Sequence, residues 1–208
     1  MKIISTKFTR LFQYLLSFKK SSLLHTRTID LLLHHYHAGE GHNTDEKKGF
    51  PGFALIHYSF VRNIRPKRIL CIGSRRGFIP AALALACKEN GMGHVDFIDA
   101  GFGPEEPSKH WSGYGFWKLK KSVRHFDTLG LTPWITQHLM TTKQFAKSTH
   151  QKYDYIYIDG DHSYAGVALD YSLFWPRLNK YGFMVFHDII AKGNVDEGIF
   201  GVARFWKK

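Results

Sequence analysis

Five short apolar runs follow one another along the chain after residue 60, and they occupy 68–72, 94–98, 134–139, 153–158 and 182–186. Between them lie longer segments of helical character, which are the alanine-rich 78–88, the basic 118–129, and 164–178. Strands that alternate with helices indicate a parallel sheet with right-handed crossovers and helices on both faces. The pattern therefore predicts a Rossmann-like, doubly wound α/β fold with a mostly parallel sheet.

The first quarter of the chain has a different pattern. Leucines recur at helical spacing through 1–37, and 38–53 is rich in glycine and charge, which is typical of a loop or linker. We therefore expect a basic helical lid region with its linker at 1–49 and a catalytic domain at 50–208.

The 208 residues are 44% hydrophobic, enough for one sizeable core, and carry a formal net charge of +12. Such a charge favours acidic partners, which include small phosphorylated or carboxylated molecules, nucleic acid and anionic membranes. Without an arginine-rich tract, zinc-finger spacing or aromatic RNA-binding signature, nucleic acid is not the expected partner. Cys71 and Cys87 fall in a predicted strand and helix and indicate buried thiols in a reducing compartment. We expect a cytoplasmic protein.

The basic N-terminus admits several interpretations. No apolar run approaches the ~18 residues that a bilayer span needs, and no small-residue cleavage site suggests a secretory signal. The first acidic residue is Asp30, and an acid-free basic start is also typical of a transit peptide or of a helix lying on an anionic membrane. The favoured interpretation is an amphipathic helix that covers the domain, with peripheral membrane contact as the alternative.

A glycine turn follows the first predicted strand, with the sequence Gly73-Ser74-Arg75-Arg76-Gly77. Glycine lets the backbone approach a ligand, and the following helix start offers free N–H groups. The spacing matches neither the GxGxxG dinucleotide fingerprint nor a P-loop, which argues against NAD and against a P-loop nucleotide site. A plain tight turn remains the simpler explanation.

Acidic residues and histidines end three of the predicted strands. Asp99 ends the second strand, where a carboxylate can accept hydrogen bonds from both ribose hydroxyls of a nucleoside, although it could also be a turn residue. The fourth strand runs into 159–164 (DGDHSY) and the fifth into 186–188 (FHD). Carboxylates that lie close together repel one another unless a cation or a proton neutralises part of their charge. These clusters therefore predict a functional site. Asp161 or Ser163 could instead cap the next helix.

These segments resemble the class I S-adenosylmethionine (SAM)-dependent methyltransferases over about residues 50–208. The resemblance is carried by CIGSRRG, FIDAG, YIDGDHSYAGVALDYSLFWPRL, GFMVFHD and GVARFW, of which IDGDHSY and FHD are the most specific. The chain is most similar to the methyltransferase domain 24 branch, which is related to macrolide-sugar and catechol-type O-methyltransferases.

The resemblance implies O-methylation of a small hydroxylated acceptor, sugar-like or acidic, with SAM as methyl donor. The implied cofactor contacts are Gly73, Ser74 and Gly77 at the methionine part of SAM, Asp99 at the ribose, and Asp159. The implied ligands of a divalent metal such as Mg²⁺ are Asp159, His187 and Asp188. His162, with Asp159 beside it, would be the general base. The implied acceptor pocket includes Trp111, Tyr114, Trp117 and Tyr164. Because His187 matches a hard cation poorly, its participation would favour a softer metal.

Two features depart from the family pattern. Cys71 stands where the family usually has an acidic residue, two positions before the first glycine. Family domains also continue past 201–206 into two further strands, which this sequence lacks. We therefore expect the fifth strand to form an open edge that a second copy of the chain could cover. The alternative function is a degenerate or truncated methyltransferase-fold module that binds or interacts without catalysis. RNA methylation is suggested by charge alone, because the Asn/Asp-Pro-Pro-aromatic signature is absent.

Two further clusters of side chains are candidates for binding an acidic acceptor or a metal. The basic run Lys118, Lys120, Lys121 and Arg124 would attract an acidic acceptor if it is functional, but an ordinary solvated face explains it equally simply. The histidines His34, His35 and His37 could bind a metal, although an exposed lid surface is the simpler explanation.

Overall fold

The computed structural model describes Leu23 and residues 25–38, 41–103, 114–190 and 200–208. The helices are α1 (Thr26–Asp30), α2 (Phe53–Ile64), α3 (Phe78–Asn90), α4 (Thr142–Ser148), α5 (Tyr164–Phe174) and α6 (Val202–Trp206). The strands are β1 (Arg68–Ile72), β2 (His94–Asp99), β3 (Ile135–Leu139), β4 (Tyr153–Ile158) and β5 (Leu178–Phe186). Of these helices, none has the length and apolarity that a membrane span requires.

The five strands form one sheet in the order β3-β2-β1-β4-β5, and every neighbouring pair is parallel. Successive strand residues point to opposite faces. In β1, Ile69 and Cys71 join the core cluster that contains α2 and α3, whereas Leu70 and Ile72 join the cluster with α4 and α5. Helices therefore cover both faces, which confirms the predicted doubly wound fold. Cys71 and Cys87 are buried free thiols, as expected.

The apolar runs locate all five strands, but several helix boundaries differ from the sequence prediction. The helix predicted at 164–178 ends as an α-helix at Phe174 and continues as a 3₁₀ turn, Trp175–Arg177. Pro176 explains this end, because proline cannot donate the next helical hydrogen bond. The prediction also missed α2, which lies between the linker and β1, and α4, which follows β3.

The prediction of a basic helix at 118–129 is wrong. The segment Lys120–Gly130 consists of 3₁₀ turns, with an extended Thr128 and a left-handed Leu129 that has φ of 63°. Its buried positions, Ser122, His125 and Phe126, face the core. Packing of these three side chains therefore outweighs the helical propensity of the basic residues between them.

Strand β5 forms an open edge of the sheet, as expected, because within the described ranges it pairs with β4 alone. Tyr181 is 86% exposed and Phe183 is 43% exposed along it. Covering of this edge by a second copy stays a prediction.

Several described residues of the N-terminal segment contribute to the same core. Leu32 and Leu33 in the π-helical turn Leu31–His35 are buried, as is Tyr36, whose hydroxyl donates to the Thr128 carbonyl at 2.7 Å. The remainder of the helix predicted at 1–37 lies outside the described residues.

Buried His125 makes the stability of the fold depend on pH. His125 is 6% exposed, and its Nε2 donates to the Arg76 carbonyl at 2.8 Å. Burial lowers the pKa of His125 to about 4, although the bond to Arg76 opposes the shift. An unfolded histidine takes up a proton near pH ~6.5, so stability falls as the pH drops from about 6.5 to 4, by about 3 kcal/mol for this group.

The variant His125→Gln keeps a hydrogen-bond donor but does not titrate in this window. We expect its unfolding free energy, measured by urea titration at several pH values, to fall by about 3 kcal/mol less than that of the parent between pH ~6.5 and 4. Packing changes shift the whole curve and leave this difference unaffected. Parallel curves for the two proteins would contradict the prediction.

Candidate functional site

A crevice of about 770 Å³ lies at the carboxyl ends of the strands. Its lining includes Gly73 after β1, Asp99 at the end of β2, Asp159 after β4 and Asp188 after β5. Parallel strands deliver the residues that follow them to one edge of the sheet. These four segments, each at the end of a predicted strand, therefore line one crevice.

The glycine turn after β1 is held tightly in place. Gly73 has φ of 77°, and a Cβ there would lie 2.1 Å from the Asp159 carbonyl oxygen. Ser74 Oγ accepts from the Gly77 amide at 3.0 Å, and the Ser74 carbonyl accepts from Trp117 Nε1 at 2.7 Å. The turn thus brings backbone against the crevice at a position where any side chain would collide with β4.

Replacing Gly73 by alanine is expected to lower the unfolding free energy by about 3 kcal/mol, because the change adds both a left-handed strain and a backbone collision. Affinity for a ligand of the crevice should fall in parallel, since the Asp159 turn must move to make room. Denaturant unfolding and ligand calorimetry measure the two effects.

Gly91 provides the matched control. It is also left-handed, with φ of 64°, but a Cβ there meets nothing within 4 Å. Gly91→Ala should therefore lose only the conformational component, about 1 kcal/mol, and should keep ligand affinity. Equal effects of Gly73→Ala and Gly91→Ala would show that the contact with Asp159 contributes nothing.

Asp99 combines a role in the turn with a place in the crevice. Its Oδ2 accepts from the Ser74 amide at 3.2 Å and its Oδ1 from the Gly101 amide at 2.7 Å. Burial raises the pKa of Asp99 to about 6, and these two amides oppose the shift. Each carboxylate oxygen can accept more than one hydrogen bond, so acceptor positions remain for ligand hydroxyls. Gly77, by contrast, lies at the N-terminus of α3 next to the rings of Trp117 and Phe126. It does not line the crevice.

The acid and histidine clusters of β4 and β5 converge. Asp159, His162 and Asp188 each offer a ligand atom within 4.8 Å of the others. His162 Nε2 lies 3.1 Å from Asp159 Oδ1, and its Nδ1 lies 3.3 Å from Asp188 Oδ2. His187 Nδ1 lies 3.3 Å from Asp159 Oδ1 and 3.0 Å from Asp188 Oδ1. Two carboxylates and two imidazoles thus share one small volume.

Local structure fixes these side chains. The buried Tyr157 hydroxyl donates to Asp159 Oδ2 at 3.3 Å. Asp188 has φ of 57°, a left-handed conformation that is uncommon outside glycine and is frequent at functional sites. Ser163 caps α5 by accepting from the Gly166 amide at 3.0 Å, which confirms the capping alternative for this residue.

The cluster shifts the pKa values of its members in opposite directions. Burial alone would raise the pKa of Asp159, but His187 and His162 outweigh it and hold the pKa well below its ordinary range. Burial would lower the pKa of His187, but Asp159 and Asp188 raise it to about 11. The pKa of His162 is also raised, because the same acids outweigh its burial. In the absence of another cation, the imidazoles neutralise the carboxylates.

Sequence reasoning missed His42, which lies in the predicted linker and lines the crevice. The His42 carbonyl accepts from the Phe53 amide at 2.9 Å, which ties the linker to the start of α2. Its ring lies 4.8 Å from that of His187, and burial lowers its pKa to about 4 against the opposing charge of Asp159. Glycines mark this segment as a turn, but no local signal shows that it returns to the strand ends.

A second missed residue is Asp170, a buried carboxylate of α5 that lines the crevice. Burial raises its pKa to about 7, although a hydrogen bond with Thr142 opposes the shift. Its position within α5 made it resemble an ordinary helix-surface residue in the sequence.

The aromatic residues proposed for an acceptor pocket divide into three groups. Tyr114 lines the crevice and is 58% exposed. Trp117 is buried in the core, and Tyr164 packs against Arg204 and Phe205, so neither lines the crevice. Trp111 lies outside the described residues.

The basic run and the three N-terminal histidines lie away from the crevice lining. All four basic residues are exposed, and Arg124 pairs with Asp127 at 2.6 Å, which fits a solvated face. All three histidines are exposed, and His35 also stacks on His125 with 4.4 Å between the ring centroids. Within the described ranges, the one group of three metal-ligating side chains is Asp159, His162 and Asp188.

Comparisons with known proteins bear on this site. A family model described as a methyltransferase domain matches residues 70–189. No curated protein matches the sequence significantly. Similar folds occur in the O-methyltransferase from Bacillus cereus in complex with SAH (TM-score 0.58, 15% identity, 87% of this chain and 77% of that one). A second similar fold is that of the O-methyltransferase TomG from Streptomyces achromogenes in complex with SAM (TM-score 0.58, 14% identity, 93% of this chain and 81% of that one). A third is that of cofactor-bound Rv0187 from MTB (TM-score 0.61, 15% identity, 92% of this chain and 81% of that one). At these identities, the likeness to solved structures concerns the fold.

Proposed function

This chain belongs to the methyltransferase domain family, and on that basis we propose that it transfers a methyl group from SAM to a hydroxyl oxygen of a small acceptor. The observation that carries the proposal is the single crevice into which the turns at Gly73, Asp99 and Asp159 open. The family match, and the SAM and SAH present in two O-methyltransferases of similar fold, support the donor.

The donor would lie along the ends of β1 and β2. Gly73 and Ser74 would contact its methionine part, where no side chain obstructs the backbone, and Asp99 would accept hydrogen bonds from the ribose hydroxyls. Gly77 would act indirectly, by starting α3 behind the turn. Asp159 faces the same crevice from β4 and would close the far side of the donor site.

The acid pair fits a divalent cation. Asp159 and Asp188 are 12% and 15% exposed, and each offers a ligand atom within 4.8 Å of the other, so a shared positive charge would stabilise both carboxylates. Asp159, Asp188 and an imidazole beside them, the predicted His187 or the neighbouring His162, would hold the ion. A bound divalent cation would lower the pKa of the acceptor hydroxyl.

His162 would remove the proton of the acceptor hydroxyl at one of its ring nitrogens. Both nitrogens face carboxylates, and these carboxylates orient the ring and stabilise the imidazolium that forms. The acceptor oxygen then bonds to the methyl carbon as the carbon–sulfur bond breaks, and SAH leaves as a neutral thioether. Asp159 thus serves His162 as well as the cation site.

The acceptor class rests on the residues at the mouth of the crevice. Arg75 lines it and is exposed, as is Tyr114. A cationic and aromatic rim favours a small acceptor with a negative charge or a polar ring, such as a sugar phosphate or a carboxylated sugar. The exposed basic run would add long-range attraction for such a molecule.

The direct test is calorimetry with SAH, followed by measurement of SAH release from SAM with a panel of hydroxylated acceptors. For Asp99→Asn, we expect SAH affinity to fall on the order of 10- to 100-fold, because a hydrogen bond to a charged group contributes about 1.5–3 kcal/mol. The asparagine oxygen can still accept from one of the two backbone amides, so the turn should be retained.

Asp96→Asn provides the control. Asp96 lies on the same strand but binds His138 at 2.8 Å and Tyr153 at 3.2 Å, outside the crevice lining. Its substitution should leave SAH affinity unchanged. An absence of heat with the parent protein would instead favour the non-catalytic binding module, for which the substitution of an acid by Cys71 is the sequence argument.

A further inference from the structure

The crevice contains more imidazole than a magnesium site requires. His42, His162 and His187 all line it together with the acid pair. Mg²⁺ takes oxygen ligands and retains water, whereas imidazole suits transition ions such as Zn²⁺, Co²⁺ and Ni²⁺. The composition of the site therefore bears on which ion it selects.

His187 has an unusual environment. Its side chain is 9% exposed, yet neither ring nitrogen has a hydrogen-bond partner within the described part of the chain. Its Nδ1 nevertheless lies 3.3 Å from Asp159 Oδ1 and 3.0 Å from Asp188 Oδ1. Buried polar atoms normally have partners, so a buried imidazole nitrogen that is close to two carboxylates without hydrogen-bond geometry calls for an explanation.

His187 Nδ1 lies about as far from one oxygen of each acid as neighbouring ligands of one ion lie from each other. Neighbouring ligand atoms about 2.1 Å from an octahedral ion are roughly 3 Å apart. The three atoms come from two adjacent parallel strands, and the His187 amide donates to the Ile158 carbonyl at 3.0 Å, which fixes the end of β5 against β4. His42, whose buried Nδ1 also has no partner among the described residues, packs against His187 with 4.8 Å between the ring centroids.

We propose that His187 Nδ1, Asp159 and Asp188 bind a first-row transition ion that accepts nitrogen ligands, in preference to Mg²⁺. The placement of this ion beside a methyl acceptor rests on the proposed function, but its binding does not require methyl transfer. His162 is left as the proton acceptor, and His187 supplies the nitrogen ligand.

The test uses the full chain after treatment with a chelator, titrated separately with Co²⁺ and with Mg²⁺. Calorimetry gives both affinities, and the visible absorption of Co²⁺ reports nitrogen ligation. We expect Co²⁺ to bind at least about 100-fold more tightly than Mg²⁺. Equal affinities, tighter binding of Mg²⁺, or no binding of either ion would overturn the proposal.

The variant His187→Asp exchanges the nitrogen ligand for an oxygen ligand. It should weaken Co²⁺ binding by about 10- to 100-fold, strengthen Mg²⁺ binding and change the Co²⁺ spectrum. His150→Ala removes an exposed histidine outside the crevice lining and should change none of these. An unaltered Co²⁺ affinity in His187→Asp, or equal losses in the two variants, would show that the ion binds elsewhere.

Metal-free calorimetry with SAH separates this inference from the proposed function. If SAH fails to bind while Co²⁺ binds through His187, the methyltransferase proposal fails and the metal site stands. If SAH binds while Co²⁺ does not, the metal site fails and the methyltransferase proposal stands.

Discussion

Replacing Asp159 by asparagine is expected to lower turnover on the order of 10³-fold while the chain remains folded. The carboxylate is shared, because it faces His162 at 3.1 Å and His187 at 3.3 Å and accepts from the Tyr157 hydroxyl. Asparagine keeps the shape but removes the charge that orients the base and attracts a cation. Loss of both effects is equivalent to about 4 kcal/mol of barrier lowering.

The measurements are SAH release with whichever acceptor the panel identifies, and metal affinity in the same variant. Asp154→Asn is a matched control at the opposite end of β4. Asp154 accepts from the amides of Lys67 and Arg68 at 2.8 and 3.0 Å, and from Asn179. Its substitution should destabilise the fold by about 1–3 kcal/mol without changing turnover per folded molecule. Turnover of Asp159→Asn within tenfold of the parent would exclude the proposed role of this carboxylate.

The central strands β1 and β4 could be predicted from the sequence because a parallel strand that is buried on both faces is apolar at nearly every position. The segment Lys120–Gly130 was mispredicted for the opposite reason, since tertiary packing of His125 and Phe126 determines its conformation. Helix α2 was missed although its buried residues Ala54, His57, Tyr58 and Val61 recur at helical spacing, which is a signal that the sequence carries.

The location of the site followed from topology. Residues that directly follow parallel strands meet at one edge, so Asp99, Asp159 and Asp188 could be brought together without coordinates. Which imidazole faces which carboxylate could not be predicted, because it depends on side-chain rotamers and on the left-handed backbone of Asp188. His42 could not be predicted either, because the fold of the linker depends on contacts with distant residues.

Replacing His162 by alanine is expected to lower turnover on the order of 10²- to 10⁴-fold, the usual contribution of a general base. The same ring also lies within ligand distance of the acid pair, so loss of rate alone would not distinguish a base from a metal ligand. A ligand can be recognised by metal affinity, whereas a base affects kcat and leaves affinity for metal and SAH nearly unchanged.

The two roles also differ in their response to a conservative change. His162→Gln restores hydrogen bonding to Asp159 and Asp188 but cannot take up a proton near neutral pH. If His162 is the base, glutamine should be as inactive as alanine, with metal affinity within a few-fold of the parent and KM little changed. If turnover recovers with glutamine, His162 only positions the carboxylates. If metal affinity falls together with the rate, His162 is a metal ligand. In either case another group must accept the proton. Because His187 would hold the ion in this arrangement, comparison of His162→Gln with His187→Asp assigns the proton and the metal to separate histidines.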